Sequence, residues 1–171
     1  MRILGLDPGV NRTGYGILQS DGLTVVRFGV IVAPLHSSLP FKLKAISTGI
    51  EEVISEYRPD VAACETVFYG KSVKAALLMS HARGVLLLAA HRYGLEVFEY
   101  SPMEVKRAVV GRGKASKEQV RFMVESILSI KEQLREIDAS DALAVAICHL
   151  FRTRDRSVSY THLRAHETGR N

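Results

Sequence analysis

The chain has 171 residues, of which 47% are hydrophobic and 24% are charged, and its formal net charge is +5 at pH 7. This composition excludes wholesale disorder and collagen-like or mucin-like chains, and two cysteines are too few for a secreted disulfide scaffold. The length fits one domain with a substantial core, and a pI of about 9.4 fits a protein that binds a polyanion.

The positive charge is unevenly distributed along the chain. Residues 1–151 carry 18 basic and 16 acidic side chains, whereas residues 152–171 carry 5 and 2. The last twenty residues show neither helical nor strand periodicity. We therefore expect one domain over residues 1–151 and a disordered basic tail over residues 152–171. Within that tail, the stretch from Tyr160 to Thr168 resembles translated adaptor sequence from cloning, so it is left out of the fold prediction.

The first third of the chain predicts three antiparallel strands followed by a helix. The strands are expected at Ile3 to Leu6, Thr13 to Leu18 and Leu23 to Val32, separated by turn residues. After Pro34, apolar residues at helical 3/4 spacing run from Leu43 to Tyr57, until Pro59-Asp60 stops the pattern. A brief buried strand, Val61 to Cys64, is then predicted to end at Glu65.

A long helix is predicted from about Ser72 to Arg92, ended by Gly94 in a left-handed cap and followed by a fifth strand from Leu95 to Tyr100. We expect one face of this helix to pack on the sheet: Ala75, Leu78, Ala82, Val85 and Leu88. Apolar or small residues also occupy its other sides, among them Leu77, Met79, Gly84, Leu86 and Leu87. This surplus favours a two-fold interface between two copies of the chain.

Capping signals mark three further helices. Capping boxes begin at Ser101 and Ser116, and the last helix is predicted to begin near Asp138. Strands that follow helical crossovers are expected to run parallel, so the chain predicts an α/β fold in which helices flank a five-stranded mixed sheet. The opening apolar run is too short for a signal peptide, and no charge-free run of about 18 residues occurs. We therefore expect a cytoplasmic protein without a membrane segment.

Four carboxylates occupy informative positions. Asp7 follows the first strand, Glu65 follows the fourth, and Asp138 and Asp141 lie three residues apart on one face of the last helix. If the first and fourth strands are neighbours, Asp7 and Glu65 emerge at the same edge of the sheet. Converging carboxylates suit Mg²⁺, and two such ions can activate a water and stabilise the leaving oxygen in attack on a phosphodiester. Taken singly, each acid is equally compatible with an ordinary turn, cap or surface position.

Several stretches together resemble a known family: Met1 to Gly16 with Asp7-Pro8-Gly9 inside it, Cys64 to Lys71, Ala82-Arg83-Gly84, Val105-Lys106, and Asp138 to Ala146. In order and spacing, from residue 1 to about 151, they resemble the bacterial RuvC Holliday-junction resolvases. The resemblance implies an RNase H-like fold, a homodimer, and symmetrical Mg²⁺-dependent nicking of four-way DNA junctions that leaves 5′-phosphates, with Mn²⁺ able to substitute. It places catalytic, metal-holding acids at Asp7, Glu65, Asp138 and Asp141, and it implies the branch-migration proteins RuvA and RuvB as partners.

Basic and aromatic residues are candidates for contacts with DNA. Four of them fall within an acid-free run of twelve residues: Lys106, Arg112, Lys114 and Lys117. By the resemblance, Lys106 and Lys117 match lysines used for catalysis and junction binding, whereas Arg112 and Lys114 have no such counterpart. The alternative is an ordinary solvated surface.

The loop after Glu65 supplies three more candidates: Phe68, Tyr69 and Lys71. By the resemblance, Phe68 matches an aromatic that wedges into the junction, and Tyr69 is a second candidate for that role. An aromatic next to a catalytic carboxylate can stack on an unpaired base. The alternative is a hydrophobic plug that holds the loop against the core.

Other functions share parts of this pattern. An Asp-x-Gly turn also resembles the phosphate loop of actin-like sugar kinases, but no second glycine loop follows and the chain is less than half the expected size. The shorter YqgF-type nucleases, which act on RNA, also carry Asp-Pro-Gly, although the loop at Phe68 to Lys71 and the helix start at Asp138 favour the RuvC family. A catalytically silent module that binds junctions and recruits other proteins remains a further alternative.

Overall fold

The computed structural model describes residues 1–67, 72–131 and 133–167, and for Gly22 and residues 155–167 it describes the backbone only. A short 3₁₀ turn at Asp21–Leu23 separates the second and third strands. The strands and helices, in chain order, are β1 (Arg2–Asp7), β2 (Arg12–Gln19), β3 (Thr24–Val32), α1 (Leu39–Tyr57), β4 (Val61–Glu65), α2 (Val73–Arg92), β5 (Glu96–Tyr100), α3 (Pro102–Val110), α4 (Lys117–Ile127) and α5 (Ile137–Glu167).

The five strands form one mixed sheet in the order β3-β2-β1-β4-β5. β1 pairs antiparallel with β2 and parallel with β4, and β4 pairs parallel with β5. The predicted α/β class and five-stranded mixed sheet are therefore confirmed. Leu6 of β1 lies opposite Cys64 of β4, so the next residue of each strand, Asp7 and Glu65, ends its strand at the same edge of the sheet.

Two apolar layers cover the sheet, one on each face. One layer joins α1 and α2 to the sheet through residues such as Leu4, Leu6 and Ile50. The other joins α3, α4 and α5 to the opposite face through residues such as Ile3 and Leu143. Alternate residues of β1 point into the two layers, as the pleat of a strand requires.

The helix α5 is the most deeply buried helix of the domain. Every residue from Ala142 to Leu150 is buried, including His149, which is only 1% exposed. The Nδ1 atom of His149 lies 2.8 Å from the hydroxyl oxygen of Tyr100, and its ring lies 4.4 Å from that of Phe98. Burial lowers the pKa of His149, because a charged imidazole would be poorly solvated there.

The predicted core face of α2 is only partly correct, since Ala82 is buried and Val85 is half-buried against the core as expected. Its buried residues are Ala76, Ala82, Leu86, Ala89 and Ala90, whereas Ala75, Leu78 and Leu88 are exposed. The helix carries apolar residues around its whole circumference, so periodicity alone does not mark the side that faces the sheet. Packing against α1 and β5 determines which side of α2 is buried. An ion pair between Arg83 of α2 and Glu99 of β5 adds to this contact.

Among the described residues, one helix, α2, is long and apolar enough to cross a membrane by length and composition. The helix contains the charged residues Lys74 and Arg83, so it is not a charge-free run of about 18 residues. The same helix packs against α1 and β5 within the fold.

The backbone of α5 continues as a helix through residues 152–167, where the sequence predicts a disordered tail. The difference has a physical reason. The buried segment from Ala142 to Leu150 nucleates the helix, and each further residue then adds a backbone hydrogen bond without a new nucleation cost. Residues such as Arg, Leu and Ala in this stretch have good helix propensity and so permit the extension.

Candidate active site

A cavity of about 230 Å³ lies where β1, β4 and α5 meet. Three carboxylates line it, Asp7, Glu65 and Asp141, together with the two lysines Lys106 and Lys117. Its remaining lining is mainly apolar: Met79, Pro102, Val105, Val120 and Ala144. The structure thus brings together five of the residues that the sequence singled out, from five different strands and helices.

The turn after β1 fixes the position of Asp7. A Cβ atom at Gly9 would lie 2.1 Å from the carbonyl oxygen of Arg12, so only glycine permits the chain to turn this tightly. The hydroxyl of Thr13 donates a hydrogen bond of 2.7 Å to the carbonyl oxygen of Gly9, which closes the turn. Asp7 is therefore held at the end of its strand rather than on a mobile loop.

Glycines in the sheet let α5 bring Asp141 to the same place. A Cβ atom at Gly14 would lie 1.9 Å from the carbonyl oxygen of Asp138, and one at Gly5 would lie 2.0 Å from that of Ala142. Backbone therefore packs directly on backbone where the first turns of α5 cross β1 and β2. This close approach sets the distance between the carboxylates of α5 and those of the sheet.

Burial and mutual repulsion make the carboxylates of the cavity hard to ionise. Burial, followed by the neighbouring charges of Glu65 and Asp141, raises the pKa of Asp7 well above its usual range. Burial and the charge of Asp141 raise the pKa of Glu65 to about 7. Like charges held together in a poorly solvated place need a positive partner in order to ionise together.

Lys117 supplies part of that positive charge. Its Nζ donates a hydrogen bond of 2.9 Å to Oδ2 of Asp141. Burial alone would lower the pKa of Lys117, but the hydrogen bond and the charges of Asp141 and Asp7 outweigh it, and the pKa is raised. The sequence predicted Lys117 as a DNA contact, and the structure places its amino group inside the carboxylate cavity.

Asp138 is turned elsewhere and is not among the described residues that line the cavity. Its Oδ2 accepts a hydrogen bond of 2.7 Å from Nε of Arg12, and the same guanidinium pairs with Glu136. The sequence predicts no role for Arg12, although this residue lies within the stretch from Met1 to Gly16 that resembles the family. Arg12 is the first residue of β2 and lies beside the start of α5, and this position is what brings it to Asp138.

The donor set of the cavity fits a hard divalent cation. Asp7, Glu65 and Asp141 offer carboxylate oxygens, the ligands that Mg²⁺ and Mn²⁺ prefer, and among the described residues two lysines, Lys106 and Lys117, share the cavity with them. Within the described parts of the chain, no three His, Cys, Asp or Glu side chains are gathered as a ready ligand cluster.

The remaining predicted DNA contacts fall into two groups. Arg112 and Lys114 are exposed in the segment between α3 and α4, outside the cavity lining. Gly111 caps α3 there in a left-handed conformation with φ of 80°. Phe68, Tyr69 and Lys71 lie outside the described residues.

Comparison with known proteins gives consistent matches over almost the whole domain. The family model described as crossover junction endodeoxyribonuclease RuvC matches residues 3–149. A protein of that description from Syntrophomonas wolfei is 43% identical over 152 residues, which cover 88% of each chain. One from Citrifermentans bemidjiense is 47% identical over 151 residues, which cover 87% of this chain and 92% of the relative.

Solved structures match as well, among them two of RuvC from Thermus thermophilus. The Thermus thermophilus RuvC structure has a TM-score of 0.82 at 33% identity and covers 90% of this chain and 96% of its own. The structure of T. thermophilus RuvC in complex with Holliday junction substrate has a TM-score of 0.84 at the same identity and covers 90% of this chain and 95% of its own.

Proposed function

Because the chain belongs to the RuvC family of crossover junction endodeoxyribonucleases, we propose that the cavity lined by Asp7, Glu65 and Asp141 is its catalytic centre. The protein is an endonuclease that resolves four-way, or Holliday, DNA junctions in recombination and repair. The meeting of three carboxylates and two lysines at one edge of the sheet carries the proposal. Since its substrate is a DNA junction, we propose that the protein acts in the cytoplasm.

Asp7, Glu65 and Asp141 would hold Mg²⁺, with Mn²⁺ as a substitute and with Asp138 as a fourth ligand from the same helix turn as Asp141. When bound, the cation lowers the pKa of a water molecule and stabilises negative charge on the phosphodiester oxygens during in-line attack. The protein's own part is to hold Asp7 and Glu65 side by side on paired strands and to bring α5 close to them. The products carry 5′-phosphate and 3′-hydroxyl groups.

Lys106 and Lys117 are placed to act on the DNA backbone. Both line the cavity, so a phosphate that enters it meets positive charge. Each would bind the backbone and offset the negative charge that develops on the phosphate. Arg112 and Lys114 are exposed outside the cavity, where they would contact further phosphates of the bound DNA strand. We further propose that Phe68 stacks on an unpaired base at the branch point, with Tyr69 and Lys71 as neighbouring contacts.

A homodimer is the proposed assembly, with α2 as its interface. Leu77, Gly84 and Leu88 lie at spacings of seven and four residues, on one exposed face of the helix. Leu77 is 54% exposed and Leu88 51%, which is unusual for leucines in a folded domain. A four-way junction is nearly two-fold symmetric, so two copies held at a fixed separation can cut opposing strands. By family membership we also propose RuvA and RuvB as partners.

The activity is tested with a labelled synthetic four-way junction, incubated with the protein and either Mg²⁺ or a chelator. We expect paired, symmetrical nicks with Mg²⁺ and none with the chelator. Asp7→Asn should lower the nicking rate about a hundredfold or more, because it removes a ligand charge at the reacting centre. Its binding to the junction, measured by gel shift, should persist because the basic surface is intact. Asp21→Asn, at an exposed acid that pairs with the N-terminus, is the matched control and should nick like the wild type.

Three outcomes would contradict the proposal in different ways. Full nicking by Asp7→Asn would show that the cavity is not the catalytic centre. Junction binding by the wild type without nicks would indicate a silent recruitment module. Cleavage of RNA substrates in place of junctions would indicate a YqgF-like nuclease.

A further inference from the structure

The carboxylate of Asp138 is held by a neighbouring arginine and is kept apart from the other three acids. Asp7, Glu65 and Asp141 line the cavity, whereas Asp138 accepts a hydrogen bond from Nε of Arg12 at 2.7 Å. Asp138 and Asp141 lie three residues apart at the start of α5, so they share one face of the helix. What distinguishes Asp138 from Asp141 is its partner, since Asp138 is bonded to Arg12 and Asp141 to Lys117.

Arg12 is itself held in place from two sides. It is the first residue of β2, directly after the tight turn at Gly9, so its backbone is fixed by the sheet. Its guanidinium also pairs with Glu136, just before α5, and this pairing remains available when Asp138 turns away. A planar guanidinium with five donors can hold two carboxylates at once, which a lysine cannot do with the same geometry. Arg12 thus has a stable position both with and without Asp138.

We propose that Arg12 is a positioning residue that competes with the divalent cation for Asp138 and so delays completion of the metal site. This inference rests on the proposed function, because it takes the carboxylate cavity to be the place where the cation binds. In the free protein the cation meets three acids, one of which is paired with Lys117. Recruiting Asp138 requires its ion pair with Arg12 to break, so the affinity for the cation is lower than four free carboxylates would give.

The test is Mn²⁺ binding by the free protein, without DNA, followed by the electron paramagnetic resonance signal of unbound Mn²⁺. Arg12→Met should bind Mn²⁺ about fivefold more tightly than the wild type, the size expected for loss of one partly exposed ion pair. In an Asp138→Asn background the same substitution should give no gain, because the competing ligand is gone. Arg135→Met, which removes an exposed positive charge three residues before Asp138, is the matched control and should give little change.

Three results would overturn the inference: unchanged or weaker binding by Arg12→Met, a gain that persists without Asp138, or an equal gain from Arg135→Met. If Arg12→Met does not fold, Arg12→Lys tests the same idea, since it keeps the charge but loses the two-carboxylate geometry, and its gain should be smaller but present. If the wild type nicks junctions but the Arg12 variants bind Mn²⁺ as the wild type does, this inference is contradicted and the proposed function is not. A wild type that does not nick junctions contradicts the proposed function.

Discussion

Two positive side chains determine which carboxylates of the site are available to a ligand. Lys117 is hydrogen-bonded to Asp141, which lines the cavity, and Arg12 holds Asp138, which does not. Both pairs are partly exposed, so solvent and salt weaken them and a divalent cation can exchange with them. These positive groups therefore stay close by when a cation or a phosphate enters, although the carboxylates that line the cavity outnumber its lysines among the described residues.

Gly14 should be essential for placing the acids of α5. A Cβ atom there would lie 1.9 Å from the carbonyl oxygen of Asp138, so Gly14→Ala must push the start of α5 away from the sheet. We expect Gly14→Ala to lower the free energy of unfolding by about 2 kcal/mol or more, the range for overpacking, and to reduce nicking strongly. Urea unfolding and the junction assay measure the two effects.

Gly113→Ala is the matched control for that substitution. Its new Cβ atom would meet mainly the side chain of Met103, which is exposed and free to turn aside. Its stability should therefore stay within about 1 kcal/mol of the wild type. A Gly14→Ala variant as stable and active as this control would show that the contact with Asp138 does not set the position of α5.

Ser140 lies between the two acids of α5 and carries a buried hydroxyl without a hydrogen-bond partner among the described residues. Ser140→Ala should therefore leave stability unchanged or raise it by up to about 1 kcal/mol, because it removes an unsatisfied polar group and improves helix propensity. Ser116→Ala is the contrasting variant, since Ser116 caps α4 by accepting from the amide of Gln119. It should lose about 1 kcal/mol. Urea unfolding measures both, and a comparable loss in Ser140→Ala would refute the prediction.

Single residues show how far the sequence determines the site. The positions of Asp7 and Glu65 follow from strand periodicity once β1 and β4 are taken as neighbours, and the structure pairs these strands. The partners of Asp138 and Asp141 do not follow, because Arg12 and Lys117 reach them from β2 and α4, which are distant in sequence. Such contacts depend on the packing of α4 and α5 on the sheet, which no local pattern encodes.

At the scale of helices and strands, the sequence predicts an element correctly where it has a clear capping motif or a clear alternation of apolar and polar residues. The capping boxes at Ser101 and Ser116 start α3 and α4 as predicted. The face of α2 was not predictable, since apolar residues surround the whole helix and only the positions of α1 and β5 select the buried side. The extension of α5 beyond residue 151 was missed for a related reason, because that segment has no amphipathic pattern of its own.

The exposed face of α2 makes the proposed dimer testable. Leu77→Glu places a charge on that face and should convert the dimer to a monomer, because burying the carboxylate against an apolar partner is unfavourable. Phe122→Glu is the control, since Phe122 is 68% exposed on α4, away from α2. Analytical ultracentrifugation at micromolar concentration should show a dimer for the wild type and for Phe122→Glu. A dimeric Leu77→Glu variant would place the interface elsewhere.

At the scale of the whole molecule, the pH dependence of stability should carry a contribution from His149. Its pKa is lowered by burial, whereas in the unfolded chain it returns to about 6.5. Below that pH the unfolded chain binds a proton that the folded protein excludes, so the free energy of unfolding falls as the pH drops towards the folded pKa. Because a single proton is involved, the free energy of unfolding changes by at most about 1.4 kcal/mol per pH unit from this group.

The comparison that isolates this contribution is His149→Gln against the wild type in urea unfolding between pH 8 and pH 5. The stability advantage of the wild type should shrink as the solution is acidified, because only the wild type has this imidazole to protonate. His91→Gln, at an exposed histidine of α2, should follow the wild-type curve. A constant difference between wild type and His149→Gln across this range would contradict the prediction.

The bare backbone contact between α5 and the sheet has a consequence for protein engineering. Gly5 and Gly14 let main-chain atoms of α5 approach β1 and β2 directly, so the height of α5 above the sheet is set in part by backbone contacts that side-chain substitutions elsewhere leave in place. Libraries that vary the Val, Ile and Leu content of the two cores can therefore adjust thermostability without shifting the acids. The two glycines are the positions that such libraries should keep fixed.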